Sequence, residues 1–263
     1  MYSRYSIPAQ IIRAGRPVFL PGSECRKPPV TKNSLLWFWC MAAADRHLLN
    51  GRHIGIAEGY AAIAMDLCSC IPTSGFEGAG IRKEHDFLPV PPDDIFGNAG
   101  PVTDRWPYHA VASVMLAHSL LASLPEVDPE KIGITGISWG GVVTCIIAGL
   151  DNRFAFAAPV YGCGFINEQI ALHGSTTADA VAEWCSLWDP VLYLPQAGMP
   201  VIFISGAADP AFSLGAWERT VSFPQGKVVR SMRPELPHCH RLGLTPEVSA
   251  FADAVLKGGE YTA

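Results

Sequence analysis

A chain of 263 residues with 49% hydrophobic and 16% charged residues has the length and apolar content of one α/β domain with a large core, and no need of a second. Its formal net charge of −5 carries no basic footprint for nucleic acid or an anionic membrane surface, so small neutral ligands suit it better. Eight cysteines are even in number, but they scatter through apolar segments of a chain too long to require staples, and they read as reduced core thiols.

The first residues, Met1-Tyr2-Ser3-Arg4-Tyr5-Ser6, lack the continuous apolar stretch of a secretory signal, which makes a cytoplasmic location the expectation. Pro17 to Leu20 reads as a short strand, followed by Pro21-Gly22-Ser23-Glu24. The apolar run Leu35 to Ala44 is about half the span a membrane helix needs and reads as a buried segment. Tyr60 to Met65 is the next expected strand. Gly80 to Pro107 is rich in Pro, Gly and Asp and reads as an excursion over the top of a sheet. Ala110 to Leu124 places Val111, Val114, Met115, His118 and Leu121 at helical spacing.

Lys131 to Thr135 has the β-branched character of a buried strand, and Val142 to Leu150 that of a buried helix. Between them stands Gly136-Ile137-Ser138-Trp139-Gly140, a G-x-S-x-G elbow. A sharp strand-to-helix turn exposes the Ser138 oxygen and leaves the next backbone N–H facing a reacting carbonyl, and flanking glycines relieve the crowding. Phe154 to Val160, Pro200 to Ser205 and Lys227 to Met232 are three further strands. Cys163 to Pro195, with Trp184, Trp188 and Tyr193 and no clear period, reads as a cap segment beside the pocket. Thr245-Pro246 opens a last helix carrying Val248, Phe251, Ala252, Val255 and Leu256, closed by Gly258. Strands alternating with helices predict an α/β fold: a mostly parallel sheet covered on both faces.

A serine at such an elbow needs a carboxylate and a histidine at the ends of later strands, in the chain order Ser, Asp or Glu, His. Val201 to Ser205 runs through Gly206-Ala207-Ala208 into Asp209, the expected acid. Lys227 to Met232 leads into Arg233-Pro234-Glu235-Leu236-Pro237-His238-Cys239-His240, a loop with two histidines. His238 is the favoured base, and His240 stays open as the alternative. His118, on an apolar helix face, reads as a core residue, and His47, His53, His85, His109 and His173 have no comparable placement. For the oxyanion, the Trp139 N–H is one expected donor, and Gly22, or else Ser23, is the second, because Pro21 has no N–H. Neither Cys68-Ser69-Cys70 nor His238-Cys239-His240 has the C-x-x-C spacing of a zinc site, so no metal and no cofactor is expected.

From about Gly59 onward the chain resembles α/β-hydrolases of the acetylxylan-esterase-like and dienelactone-hydrolase-like kind, related to the catalytic domain of the prolyl oligopeptidase family. The resemblance is carried by Gly59-Tyr60-Ala61-Ala62-Ile63-Ala64-Met65-Asp66, by Pro125 to Gly141, by Ala148 to Arg153, by Pro159 to Gly164 and by Gly206-Ala207-Ala208-Asp209. It implies an α/β-hydrolase fold over residues 1–263 as a single domain, with 1–58 atypical and 163–195 as cap, and Ser138, Asp209 and His238 as triad. The first 58 residues lack the family's His-Gly-Gly-Gly loop, which predicts a displaced or missing second oxyanion donor. The function implied is a serine carboxylic-ester hydrolase working through an acyl-enzyme on short acyl groups. Its partner would be a small-molecule ester, an acetylated carbohydrate being one candidate, with no nucleic acid or membrane involved. The alternatives are a prolyl-oligopeptidase-like serine peptidase and a hydrolase-fold protein with impaired catalysis.

Overall fold

The computed structural model describes residues 60–63, 67, 95–238 and 246–261, together with the backbone of three short strands, 34–37, 70–71 and 81–82. Five strands form one sheet: β1 (Ser34–Trp37), β4 (Ile132–Ile137), β5 (Phe156–Val160), β6 (Val201–Gly206) and β7 (Val228–Arg233), in that spatial order. Every pairing is parallel, with registers such as Leu36 against Ile134, Ile134 against Ala157, and Ile204 against Ser231. Two residues each from β2 (Cys70–Ile71) and β3 (Ile81–Arg82) make a separate antiparallel pair.

Each of β4, β5 and β6 is buried along its whole length. This is why Ile132-Gly-Ile-Thr-Gly-Ile137 and Val201-Ile-Phe-Ile-Ser-Gly206 read as continuous apolar runs rather than alternating ones. Thr135 fits among them because its hydroxyl donates to the Ala158 carbonyl at 2.7 Å. β7 is only half-buried, consistent with its place at one side of the sheet.

Three long helices pack around this sheet. Helix α1 (Trp106–Ala122) begins with Pro107 in its first turn, where the missing N–H removes no hydrogen bond. Pro107 therefore belongs to a helix start, which corrects the expectation that the excursion runs as far as that residue; the 3-10 turn Val102–Asp104 immediately precedes it. Helix α2 (Trp139–Leu150) is buried from Trp139 through Ala148, as its all-round apolar sequence requires. Helix α5 (Pro246–Lys257) buries Val248, Phe251, Ala252 and Leu256, with Phe251 edge-on to Phe156 of β5, and stops at Gly258, whose φ of +77° suits glycine.

One strand expectation needs correction, and one buried segment is refined. Among the described residues of the expected Tyr60–Met65 strand, 60–63, only Ala61 makes a bridge. The run Leu35–Ala44, read as a buried segment, overlaps the sheet strand β1 at 35–37. Short apolar runs do not distinguish strand from helix by period, and here parallel pairing with β4 decided it. The expected strand Pro17–Leu20 lies outside the described residues.

The segment 163–195 is more regular than its sequence suggests. It holds α3 (Ile170–His173) and α4 (Ala178–Trp188), the latter capped by the Thr177 hydroxyl accepting from the Ala180 N–H. Its two ends are tied by Asp189, a buried carboxylate that accepts N–H bonds from Phe165, Ile166 and Val191. Burial pushes the Asp189 carboxyl above the usual range, and those three donors pull against it. The segment lies on α2 so closely that a Cβ on Gly149 would stand 2.0 Å from the Tyr193 carbonyl oxygen.

Candidate active site

β4 ends at Ile137 and α2 begins at Trp139, so the whole change of direction falls on Ser138. Its φ of 58° and ψ of −120° lie where a non-glycine residue costs about 1–3 kcal/mol. Close packing on both sides of the turn holds that conformation. A Cβ on Gly136 would sit 2.3 Å from the Gly140 carbonyl oxygen, and one on Gly141 would sit 2.6 Å from the Val160 carbonyl oxygen. The Ser138 N–H donates to that same Val160 carbonyl at 3.0 Å, which pins the elbow to the end of β5. Ser138 is buried, with 8% of its surface exposed.

β6 delivers the acid. After Gly206 the chain turns through Asp209, whose Oδ1 accepts the N–H groups of Ala211 and Phe212 at 2.7 and 2.9 Å. Its Oδ2 is left pointing at His238 Nδ1, 2.9 Å away, and the carboxylate is fully buried. β7 delivers the base: Leu236 packs its carbonyl over Gly206, where a Cβ would be 1.9 Å from that oxygen, and two residues later His238 Nε2 lies 3.0 Å from Ser138 Oγ. The structure therefore brings together Ser138, His238 and Asp209 as one line of hydrogen bonds. With the proton on Nδ1 donated to Asp209, Nε2 is the acceptor for the serine hydroxyl. His240, Gly22 and Ser23 lie outside the described residues.

Two residues that sequence reasoning passed over flank the imidazole. The Tyr161 ring lies 4.7 Å from it, centroid to centroid, and the Phe212 ring stacks at 5.9 Å with planes 27° apart. In the chain Tyr161 immediately follows β5 and Phe212 stands three residues after Asp209, but neither spacing by itself marks a site residue.

The backbone N–H of Trp139 opens α2, where the first N–H groups have no partner inside the helix and favour negative charge. The Trp139 side chain turns into a cluster with Phe96, Trp106 and Trp184, ring centroids 5.5 to 6.4 Å away. Trp184 belongs to 163–195, so the cap segment reaches the elbow through this contact. Arg105 ties the same region together, with NH2 2.7 Å from Glu183 and 3.2 Å from the Asn98 carbonyl oxygen. Among the described residues no group of three or more His, Cys, Asp or Glu is placed to hold a metal ion, and no helix is long and apolar enough to cross a membrane.

A parallel sheet whose strand ends present an elbow serine, a histidine and an aspartate in that geometry has the arrangement of serine hydrolases with the α/β-hydrolase fold. Residues 99–190 match the model of the prolyl oligopeptidase family, a stretch that contains Ser138 but neither Asp209 nor His238. In sequence, the chain is 30% identical over 98 residues to the uncharacterized peptidase YuxL of Bacillus subtilis (strain 168), covering 32% of this chain and 14% of that protein. Among solved structures it is similar to the acetyl xylan esterase from Paenibacillus sp. R4, with TM-score 0.62 and 17% identity, over 86% of this chain and 75% of that one. It is equally similar in shape to the acylaminoacyl peptidase of Pyrococcus horikoshii, with TM-score 0.63 and 14% identity, over 90% of this chain and 39% of that one. At these identities the structural likenesses establish the α/β-hydrolase fold, which the sequence resemblance implied, and leave esterase and peptidase both represented.

Proposed function

We propose that the protein is a carboxylic-ester hydrolase that works through an acyl-enzyme on Ser138. The observation that carries the reading is the continuous path from Ser138 Oγ to His238 Nε2 and from His238 Nδ1 to Asp209 Oδ2, at 3.0 and 2.9 Å. In this reading His238 takes the serine proton as Oγ attacks the ester carbonyl, then returns it to the departing alcohol. Asp209 holds the imidazole in the required tautomer and stabilises the imidazolium. Water, activated by the same imidazole, then releases the acid and restores Ser138. The Trp139 N–H is one donor to the oxyanion, and Gly22 or Ser23 is the candidate for the second. Ester substrates are favoured because the likeness to the acetyl xylan esterase extends over most of both chains, whereas that to the acylaminoacyl peptidase covers 39% of the latter. A small neutral ester, such as an acetylated carbohydrate, is the substrate class this reading selects.

The match of residues 99–190 to the prolyl oligopeptidase family favours a second reading, a serine peptidase, since the same three residues can cleave amides. Parallel assays with p-nitrophenyl acetate and with an aminoacyl β-naphthylamide separate the two. Turnover of the ester with none of the amide is expected, and amide turnover of comparable kcat/KM would replace the esterase reading.

A further inference from the structure

The end of β5 stands between the nucleophile elbow and the base loop and touches both. On the elbow side, the Val160 carbonyl accepts from the Ser138 N–H, and Gly162 packs on Gly141 so tightly that a Cβ on Gly162 would lie 2.2 Å from the Gly141 carbonyl carbon. On the base side, the Tyr161 hydroxyl donates to the Pro237 carbonyl at 2.8 Å, one residue before His238. Tyr161 is fully buried and has φ of 63°, a left-handed conformation that an aromatic residue adopts only where its surroundings impose it. Its own N–H is held by the Ile204 carbonyl of β6 at 2.8 Å. Main chain and side chain thus fix the ring independently, and the ring lies against the imidazole.

A histidine at the end of a loop has two side-chain torsions to lose before it can lie between a serine and a carboxylate. The Asp209 hydrogen bond restrains one edge of the ring, but it leaves the imidazole free to swing about that contact. Two features oppose the swing. The Tyr161 and Phe212 rings both pack against the imidazole, and the Tyr161 hydroxyl holds the peptide unit from which His238 departs. Phe212 is itself placed by its N–H to Asp209, so one of the two packing rings is anchored to the acid and the other follows the strand that anchors the elbow.

We propose that Tyr161 is a positioning residue for His238, linking the nucleophile elbow to the base loop and holding Nε2 over Ser138 Oγ. The proposal rests on the reading of Ser138 as nucleophile. The Tyr161→Phe variant is its test, because it keeps the ring and the backbone while deleting the hydroxyl that donates to the Pro237 carbonyl.

Inactivation of Ser138 by a fluorophosphonate is measured in the wild type, in Ser138→Ala and in Tyr161→Phe, separating the maximal inactivation rate from the concentration for half-saturation. The tautomer of His238 is read from the 15N shifts of its imidazole, and the thermal midpoint from calorimetry. The expected result is a maximal rate lower by about 10- to 100-fold in Tyr161→Phe, the size that an ångström-scale misplacement produces. Half-saturation and midpoint are expected to stay close to wild type, while His238 loses its single Nδ1–H tautomer. A rate within about twofold of wild type with one tautomer retained would overturn the proposal, as would a loss that tracks a lowered midpoint with the tautomer unchanged. If the wild type is not labelled at all, the nucleophile reading fails separately, and the tautomer measurement alone decides whether Tyr161 positions the ring.

Discussion

The two ends of the sheet treat their polar side chains in opposite ways. At the carboxyl ends of β4 to β7, Ser138, Asp209 and His238 form a directed line on strained or tightly packed backbone. At the amino ends of β4 and β5, a cleft of about 450 Å³ is lined by His118, Pro129, Glu130 and Arg153 among others, and there the polar groups are mostly engaged with one another. Arg153 donates to Asp151 through Nε at 2.8 Å, to Ser119 Oγ at 2.9 Å and to the Met115 carbonyl at 3.1 Å. His118 has Nε2 3.3 Å from the Arg153 carbonyl, its ring edge-on to Phe154, and no carboxylate or hydroxyl on Nδ1. Each end has a histidine, buried in the case of His118 and half-buried in the case of His238. What separates them is a donor on one nitrogen and an acceptor on the other, which turns an imidazole into a proton carrier.

The largest effect expected from breaking the active end is that of Ser138→Ala. It should lower kcat by about 10^6 with folding intact, since the hydroxyl makes no packing contact that the fold depends on. Steady-state turnover of the activated ester checks this, and unchanged turnover would remove Ser138 from the mechanism. His238→Ala should lose nearly as much and His240→Ala far less, because only one imidazole fits between Ser138 and Asp209. Comparing the two rates decides it, and an inactive His240→Ala beside an active His238→Ala would move the role of base by two positions. Asp209→Asn should follow at about 10^4 in kcat, because with Oδ1 kept by the Ala211 and Phe212 N–H groups the amide NH2 takes the place of Oδ2, donates to Nδ1 and favours the wrong tautomer. Its Oδ1 can still accept from Ala211 and Phe212, so the thermal midpoint should change little, and calorimetry beside kinetics separates the two.

The smallest effect belongs to the other end. Burial, followed by the nearby Arg153 charge, pushes the His118 pKa below its ordinary value, so the folded protein binds fewer protons there than the unfolded chain. The stability this contributes is fully present above pH ~6.5 and is lost as pH falls from there toward the folded-state value. Asp151 adds to the same trend only at lower pH: burial raises its carboxyl, but the Arg153 hydrogen bonds outweigh this and hold it below the usual carboxylate range. His118→Phe should therefore flatten the fall of the thermal midpoint between pH 7.5 and pH 5.5, while leaving ester turnover at pH 7.5 unchanged. A variant with the same pH slope as wild type would show that another group sets it.

Much of the active end can be read from the sequence because its parts are local. An elbow announces itself by glycines at fixed offsets, and Asp209 and His238 each follow an apolar strand by a few residues. The helices were legible for the same reason, although α4 was hidden: Ala180, Val181, Trp184 and Trp188 carry a helical period within a segment whose aromatics show no clear period as a whole. Tyr161 and Phe212 were not legible as part of the site. Their roles arise from β5 and β6 lying side by side, a fact of sheet order that no spacing in the chain encodes. The fate of Leu35–Ala44 makes the same point, since only pairing with β4 distinguishes a strand there from a buried helix. The place of Gly22 or Ser23 at the oxyanion lies outside the described residues, and the test of that donor is kinetic.

The central claim is that Ser138 is a nucleophile activated by His238 and Asp209. The most direct measurement is to react the protein with a fluorophosphonate and map the adduct by peptide mass spectrometry. One adduct per chain on the peptide containing Ser138, abolished by Ser138→Ala and slowed by orders of magnitude in His238→Ala, is the expected result. A native protein that stays unlabelled, or carries its adduct on a different residue, would contradict the account.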